Sequence, residues 1–158
     1  MKHLPKHLQP RWRYLAVAIE TWPDADLDRR ALQREVWYAT QNLLGDIGSA
    51  DADMTVLRFT HEDGVGHAIV RVRRGHTEAA RAALSCLDSV DGAPVGVRVT
   101  GTSGTVRACE EKYIRGPAKG PEQRQVVFEN RDRRAVARDG RVDVQTDDGF
   151  VGATDLDI

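Results

Sequence analysis

The residues best suited to hold an anion lie between Gly101 and Ile114, reading Gly-Thr-Ser-Gly-Thr-Val-Arg-Ala-Cys-Glu-Glu-Lys-Tyr-Ile after the alternating Val95, Val97 and Val99. The alternation predicts a strand, and the glycines and small hydroxyl residues after it predict a turn into a helix. At such a junction Thr102 or Ser103 can cap the helix. Gly104 and the unpaired N–H groups of the first turn then face outward and can receive a phosphate. Arg107, Glu111 and Arg115 follow at i, i+4 and i+8 and share a face, with Lys112 beside them. Two readings stay open: a solvated, salt-bridged stripe, or a grip on a phosphate backbone by Arg107, Lys112 and Arg115 with the hydroxyls of Ser103 and Thr105. Lys6, Arg11, Trp12 and Arg13 make a second basic and aromatic cluster, either a solvated arm or a further phosphate contact.

Nothing in the chain reads as catalytic machinery. Ser103 has the wrong glycine spacing for a nucleophile elbow, and no glycine-rich loop carries the lysine of a P-loop. His61 and His67 flank a turn without the helical spacing of a zinc protease, so they read as loop histidines. Cys86 and Cys109 sit in helix-like segments without paired spacing, which favours free thiols over a disulfide or a metal site. No catalytic residue and no metal ligand is expected.

The elements that must carry these residues follow from periodicity. Leu15, Val17 and Ile19 alternate with Tyr14, Ala16 and Ala18, predicting a strand over 13–20. Pro23 with Asp24 or Asp26 as cap opens a helix whose Leu32, Val36, Ala39 and Leu43 line one face, widened by Trp37 and Leu44, with Gly45 as the stop. Residues 54–61 and 66–73 predict a hairpin around Asp63-Gly64, with Leu57 and Phe59 facing Val70 and Val72. Thr77 caps a second helix bearing Ala80, Ala83, Leu84 and Leu87 and ended by Asp91-Gly92. Residues 94–100 give a fourth strand, and the opening junction launches a third helix stopped by Gly116-Pro117. The order βαββαβ plus a helix is the ferredoxin-like or RRM-like α+β sandwich, an antiparallel four-stranded sheet with two helices on one face. An RNA-recognition motif would add aromatic rings on the central strands, and those are missing. Its other face carries Ala16, Ala18, Ile69 and Arg71, which predicts either a protein-partner surface or burial under the third helix.

The length of 158 residues suits one compact domain with some excess. We expect a body over 1–116 and an extension over 117–158. In that extension Val126 to Phe128 form a strand and 135–144 a hairpin, either docked on the body or disordered until bound. No apolar run approaches a membrane span and no signal-peptide core is visible, so a cytoplasmic protein without membrane contact is expected. The net charge of −1 does not by itself announce a nucleic-acid binder. Before Glu20 the charged residues are Lys2, Lys6, Arg11 and Arg13, whereas 143–157 holds aspartates and no base. Arginine far outnumbers lysine, as expected of a salt-adapted chain that relies on guanidinium geometry where bulk attraction is screened.

Three strings, Gly101–Ile114, Pro10-Arg11-Trp12-Arg13-Tyr14-Leu15 and Ile69-Val70-Arg71-Val72-Arg73, together resemble the archaeal and eukaryotic ribonuclease P protein component 2 family over roughly residues 4–116. The resemblance implies a subunit of the ribonucleoprotein endonuclease that trims the 5′ leader from precursor tRNA. The RNA and its Mg²⁺ would do the chemistry, and the protein would bind no cofactor itself. It implies contact with that RNA, through Lys6, Arg11, Arg13, Ser103, Thr105, Arg107, Lys112 and Arg115. Also implied are pairing with the component 3 protein and other subunits, a homodimer within an archaeal assembly, and only indirect contact with precursor tRNA. Ala108 and Glu110 depart from the family, where basic residues are common. Two other classes remain: a ferredoxin-like regulatory module, which would dimerise and bind a metabolite, and a free-standing RNA binder, which would hold short oligonucleotides without partners.

Overall fold

The computed structural model describes residue 5 and residues 11–114, 121–138 and 141–153. Strand β1 (Trp12–Glu20), helix α1 (Arg29–Ala52), strands β2 (Thr55–Glu62) and β3 (Val65–Arg73) and helix α2 (Thr77–Ser85) come first. A two-residue ladder, β4 (Ser89–Val90) with β5 (Ala93–Pro94), leads into β6 (Gly96–Ser103) and helix α3 (Val106–Tyr113). The long strands pair antiparallel in the order β2-β3-β1-β6, the ferredoxin-like arrangement with β1 and β3 in the centre. No helix among the described residues is long and apolar enough to cross a membrane.

One face of the sheet, with Leu15, Val17, Ile19, Val56, Val70 and Val72, packs against Leu32 and Val36 of α1 and Ala80, Ala83 and Leu84 of α2. Small alanines let α2 lie close to the sheet. Gln33, buried in α1, donates to the Met54 carbonyl at 3.3 Å and accepts from the Val56 N–H at 2.6 Å, so its amide fixes where β2 begins. Such a group is tolerated inside because both of its ends are bonded.

Several boundaries differ from expectation. The cap of α1 is Asp28, whose Oδ1 accepts from the Ala31 N–H at 2.7 Å, rather than Asp24 or Asp26. Gly45 does break the helical path, at φ 74°, but a further helical segment runs on to Ala52. Trp37 and Leu43 are exposed rather than on the core stripe. In β2 the register shifts between Val56 and Arg58, so Val56 and Phe59 face Val70 and Ala68, and Leu57 is the extra residue. Helix α2 begins at Thr77 itself, after His76, and Asp91-Gly92 turns the small ladder instead of ending the helix. Strand β6 continues through Thr102 to Ser103, and the cap of α3 is Thr105.

The other face of the sheet is covered within the chain. Helix α3 crosses it, and Ala16, Ile69 and Cys109 form a small second core with Tyr14, Val106 and Ile114 around it. Close approach depends on Gly101, where a Cβ would stand 2.2 Å from the Tyr113 ring. A partner surface at Ala16 and Ile69 is therefore overturned: both are fully buried under α3.

Beyond α3, strands β7 (Glu122–Phe128), β8 (Arg131–Arg138), β9 (Arg141–Thr146) and β10 (Gly149–Ala153) make a second antiparallel sheet, order β10-β9-β8-β7. It is docked, with more strands than the single strand and hairpin expected. Phe150 stacks on Trp22 at 4.4 Å, and Arg141 pairs with Glu20 at 2.9 Å. The Arg138 guanidinium donates to the carbonyls of Thr21 and Gly64.

Candidate nucleic-acid interface

The start of β1 lies beside the end of β3, with Trp12 opposite Arg73, Arg13 opposite Val72 and Tyr14 opposite Arg71. The Arg74 N–H donates to the Arg11 carbonyl at 2.9 Å and carries the pairing one step further. Antiparallel pairing thus gathers Arg11, Arg13, Arg71, Arg73 and Arg74 at one end of the sheet. Among the described residues one carboxylate answers them there: Asp53, 3.8 Å from Arg73. Arg11, Arg13, Arg71 and Arg74 have no ion-pair partner among the described residues.

The start of α3 opens onto this corner, since Tyr14 pairs with Ser103 on its other side. Thr105 Oγ1 accepts from the Ala108 N–H at 3.1 Å, and the Thr105 carbonyl takes the Cys109 N–H. The N–H groups of Val106 and Arg107 remain at the open helix end, where the helix dipole favours an anion. A Cβ on Gly104 would stand 3.4 Å from Arg13 Nη1, which sets that guanidinium against the turn. Backbone donors and strand-end arginines therefore converge on one polyanion-sized corner.

The residues expected to grip phosphate divide. Arg11 and Arg13 fall in the corner. Thr105 is at its edge but has its hydroxyl oxygen engaged as the helix cap. Ser103 is only 8% exposed, so its hydroxyl is not offered to a ligand, and the expectation for it is corrected. Arg107 is 88% exposed on its side chain and paired with Glu111 at 2.9 Å, while Glu110 reaches Arg58 at 3.7 Å. The acids of α3 thus offset its bases, Lys112 included, and the helix face is less positive than the strand end. Lys6 and Arg115 lie outside the described residues. Arg73 and Arg74 were missed, although the Arg-Val-Arg-Arg string combined with β1–β3 adjacency would have found them.

Of the expected partner residues left, Ala18 floors a cleft of about 140 Å³ between Glu20, Arg98 and Arg141, and Arg71 lies over the Trp12 ring at 4.0 Å. Exposed large apolar side chains cluster on α1, where Trp37, Tyr38, Leu43 and Ile47 are open and Ile47 is 81% exposed, while Tyr113, Val127 and Val151 are open singly elsewhere. Tyr38 and Leu43 also border a groove of about 310 Å³ facing Cys86 and Leu87.

Three titratable groups among the described residues are shifted from their ordinary values. Burial, and secondarily Glu110, pushes the Cys109 thiol up, away from thiolate. Burial lowers His61, opposed by Asp26, and His61 Nε2 lies 2.8 Å from Thr21 Oγ1. Burial also lowers His67. Among the described residues no three His, Cys, Asp or Glu side chains gather as a metal site.

A model of the Rpp14/Pop5 family matches residues 13–114, which hold the three helices and all of the first sheet except Trp12 at the start of β1. Ribonuclease P protein component 2 of Haloarcula marismortui is 70% identical over 160 residues, covering 100% of this chain and 99% of its own length. That of Natronomonas pharaonis is 64% identical over 158 residues, covering 100% and 98%. That of Thermococcus kodakarensis is 33% identical over 113 residues, covering 72% of this chain and 91% of its own length. A chain in the cryo-EM structure of yeast ribonuclease MRP is 19% identical, with a TM-score of 0.46, over 60% of this chain and 75% of that one. Strands β7 to β10 lie beyond the family match.

Proposed function

This chain belongs to the Rpp14/Pop5 family, and we infer that it is a protein subunit of ribonuclease P, the ribonucleoprotein endonuclease that removes the 5′ leader from precursor tRNA. Its part is to brace the catalytic RNA. Mg²⁺ bound by that RNA supplies the hydrolytic chemistry, and this chain supplies neither nucleophile nor base. The observation that carries the reading is the corner where Arg11, Arg13 and Arg74 stand without acidic partners among the described residues, beside the open N-terminus of α3. Guanidiniums fixed on paired strands meet phosphates without the ordering penalty of a free arm, and each neutralised phosphate lets crowded RNA pack at lower Mg²⁺.

Protein partners take the other side of the molecule. Helix α3 fills the sheet face where two ferredoxin-like regulatory modules would pair, which leaves the apolar side of α1 as the surface we assign to the component 3 protein. Two copies of the chain meet within the same cytoplasmic assembly, and precursor tRNA is engaged through the RNA.

Reconstitution from the RNA and companion subunits, with and without this chain, tests the role: omission raises the Mg²⁺ needed for leader removal. An unchanged Mg²⁺ requirement and rate refutes it. The contact residues are tested separately. Arg13→Gln with Arg74→Gln should flatten the salt dependence of RNA binding by about one log–log unit for each charge removed. An unaltered slope removes the corner from the interface.

A further inference from the structure

Trp12 lies in the arginine corner, and two guanidiniums bear on its indole. The Arg71 Cζ is 4.0 Å from the ring centre and the Arg73 Cζ 5.6 Å. They are held differently. Arg71 sits within the sheet, opposite Tyr14 on one side and Thr55 on the other, and its buried Nε has no hydrogen-bond partner. Its guanidinium is committed to the ring. Arg73 ends β3, has a side chain 45% exposed, and is shared with Asp53 across 3.8 Å. It is the looser of the two.

We propose that Trp12 and Arg71 form a stacking site for one unpaired nucleobase of the bound RNA, with Arg73, Arg74 and Arg13 on the flanking phosphates. The proposal rests on the RNA-subunit reading above and adds to it what the corner recognises. A base has a flat π-face that stacks on an indole or a guanidinium plane whatever its sequence. Arg73, loosely placed over the ring, gives way to the base and keeps its charge beside the phosphate. A base inside a duplex cannot enter such a site, so the target is a loop, bulge or single-stranded joint. The missing aromatic platform of the central strands does not count against this, because the ring stands on the first residue of β1, at the end of the sheet rather than across it.

The test uses the full chain and a short unstructured RNA, compared with the same strand made abasic at its centre, over a salt series. Wild type should bind the base-bearing strand about tenfold more tightly. Trp12→Ala should abolish that preference with the salt slope intact, and Trp12→Phe should restore most of it. Arg71→Lys keeps the charge without the planar fork, and it too should lose the preference, which covers the case in which Trp12→Ala does not fold. If wild type treats the two strands alike but retains a steep salt slope, or if Trp12→Ala weakens both equally, the stacking site is refuted and the phosphate-binding corner stands. Failure to bind either strand at low salt overturns both.

Discussion

Replacing Gly101 by alanine tests whether the seat of α3 is what shapes the RNA corner. A methyl there would stand 2.2 Å from two carbons of the Tyr113 ring, more than an ångström inside ordinary contact. Gly101 lies on the edge strand β6, held there by its pairing with Ala16, so the Tyr113 side chain is the part that gives. Tyr113 is at the C-terminal end of α3 and 37% exposed, which lets the ring swing out instead of breaking the sheet. Overpacking of this kind costs about 1–3 kcal/mol. The helix then lifts at the end next to Cys109 and Ile114, which cover Ala16 and Ile69. Cys109 reports the lifting directly: it is buried, whereas Cys86 is exposed and gives the unhindered rate in the same molecule. Gly101→Ala should speed thiol labelling of Cys109 by about 5- to 160-fold, the same free energy expressed as an opening equilibrium, and lower the urea midpoint. Adding Tyr113→Ala should recover part of both, a coupling that two independent lesions would not show. If Gly101→Ala leaves labelling and midpoint unchanged, or if the second substitution only adds to the loss, the account of how α3 is seated is wrong.

Three further outcomes follow from the same packing. Arg138→Ala takes the side-chain donor from the Thr21 carbonyl and leaves the Gly64 carbonyl with only the Thr21 N–H, in a seam where the arginine side chain is 8% exposed, and it should cost about 1–3 kcal/mol, seen as earlier proteolytic release of the second sheet. His61 and His67 both have pKa values held below 6.5 in the folded chain, so the unfolded chain binds more protons as the pH drops through 6.5. Stability should be complete above about 6.5 and decline with acidification until the folded-state values are passed, and His61→Gln should shallow that decline in chemical unfolding across the pH range. Ile47→Asp, at an open position of α1, should change stability by no more than about 0.5 kcal/mol while weakening co-purification with the component 3 protein; retained binding would move that interface off α1.

What was readable in the sequence was local. Alternation in β1, the Asp63-Gly64 turn and the helical stripe of Leu32 and Val36 depend on neighbours within a few residues, and the βαββαβ order followed from them. Cap choice was not local. Asp24, Asp26 and Asp28 are equivalent caps by type, and Asp28 wins because Gln33 must reach Met54 and Val56 from a helix begun there. The register shifts at Leu57 and Thr100 are likewise invisible, since each is set by the partner strand. So is the coverage of Ala16 and Ile69. An apolar outer face fits a partner or a helix of the same chain, and only the fit of Tyr113 against Gly101 decides it.

Charge shows the same division most plainly. A net charge of −1 hides an arginine corner because the chain uses arginine for two unlike purposes. In the second sheet Arg134, Arg138 and Arg141 point back at Asp24, at the Thr21 and Gly64 carbonyls and at Glu20, and Arg134 also lies 4.8 Å over Trp22. Those guanidiniums are consumed in docking that sheet, where they hold β8 and β9 against the end of β1 and the β2–β3 turn. At the opposite end of β1, Arg11, Arg13 and Arg74 meet no carboxylate among the described residues. Counting residues treats both sets alike; pairing separates them. The electrostatic footprint that matters for RNA is therefore the unspent remainder after internal pairing, and it lies where two central strands begin and end beside the open end of a helix.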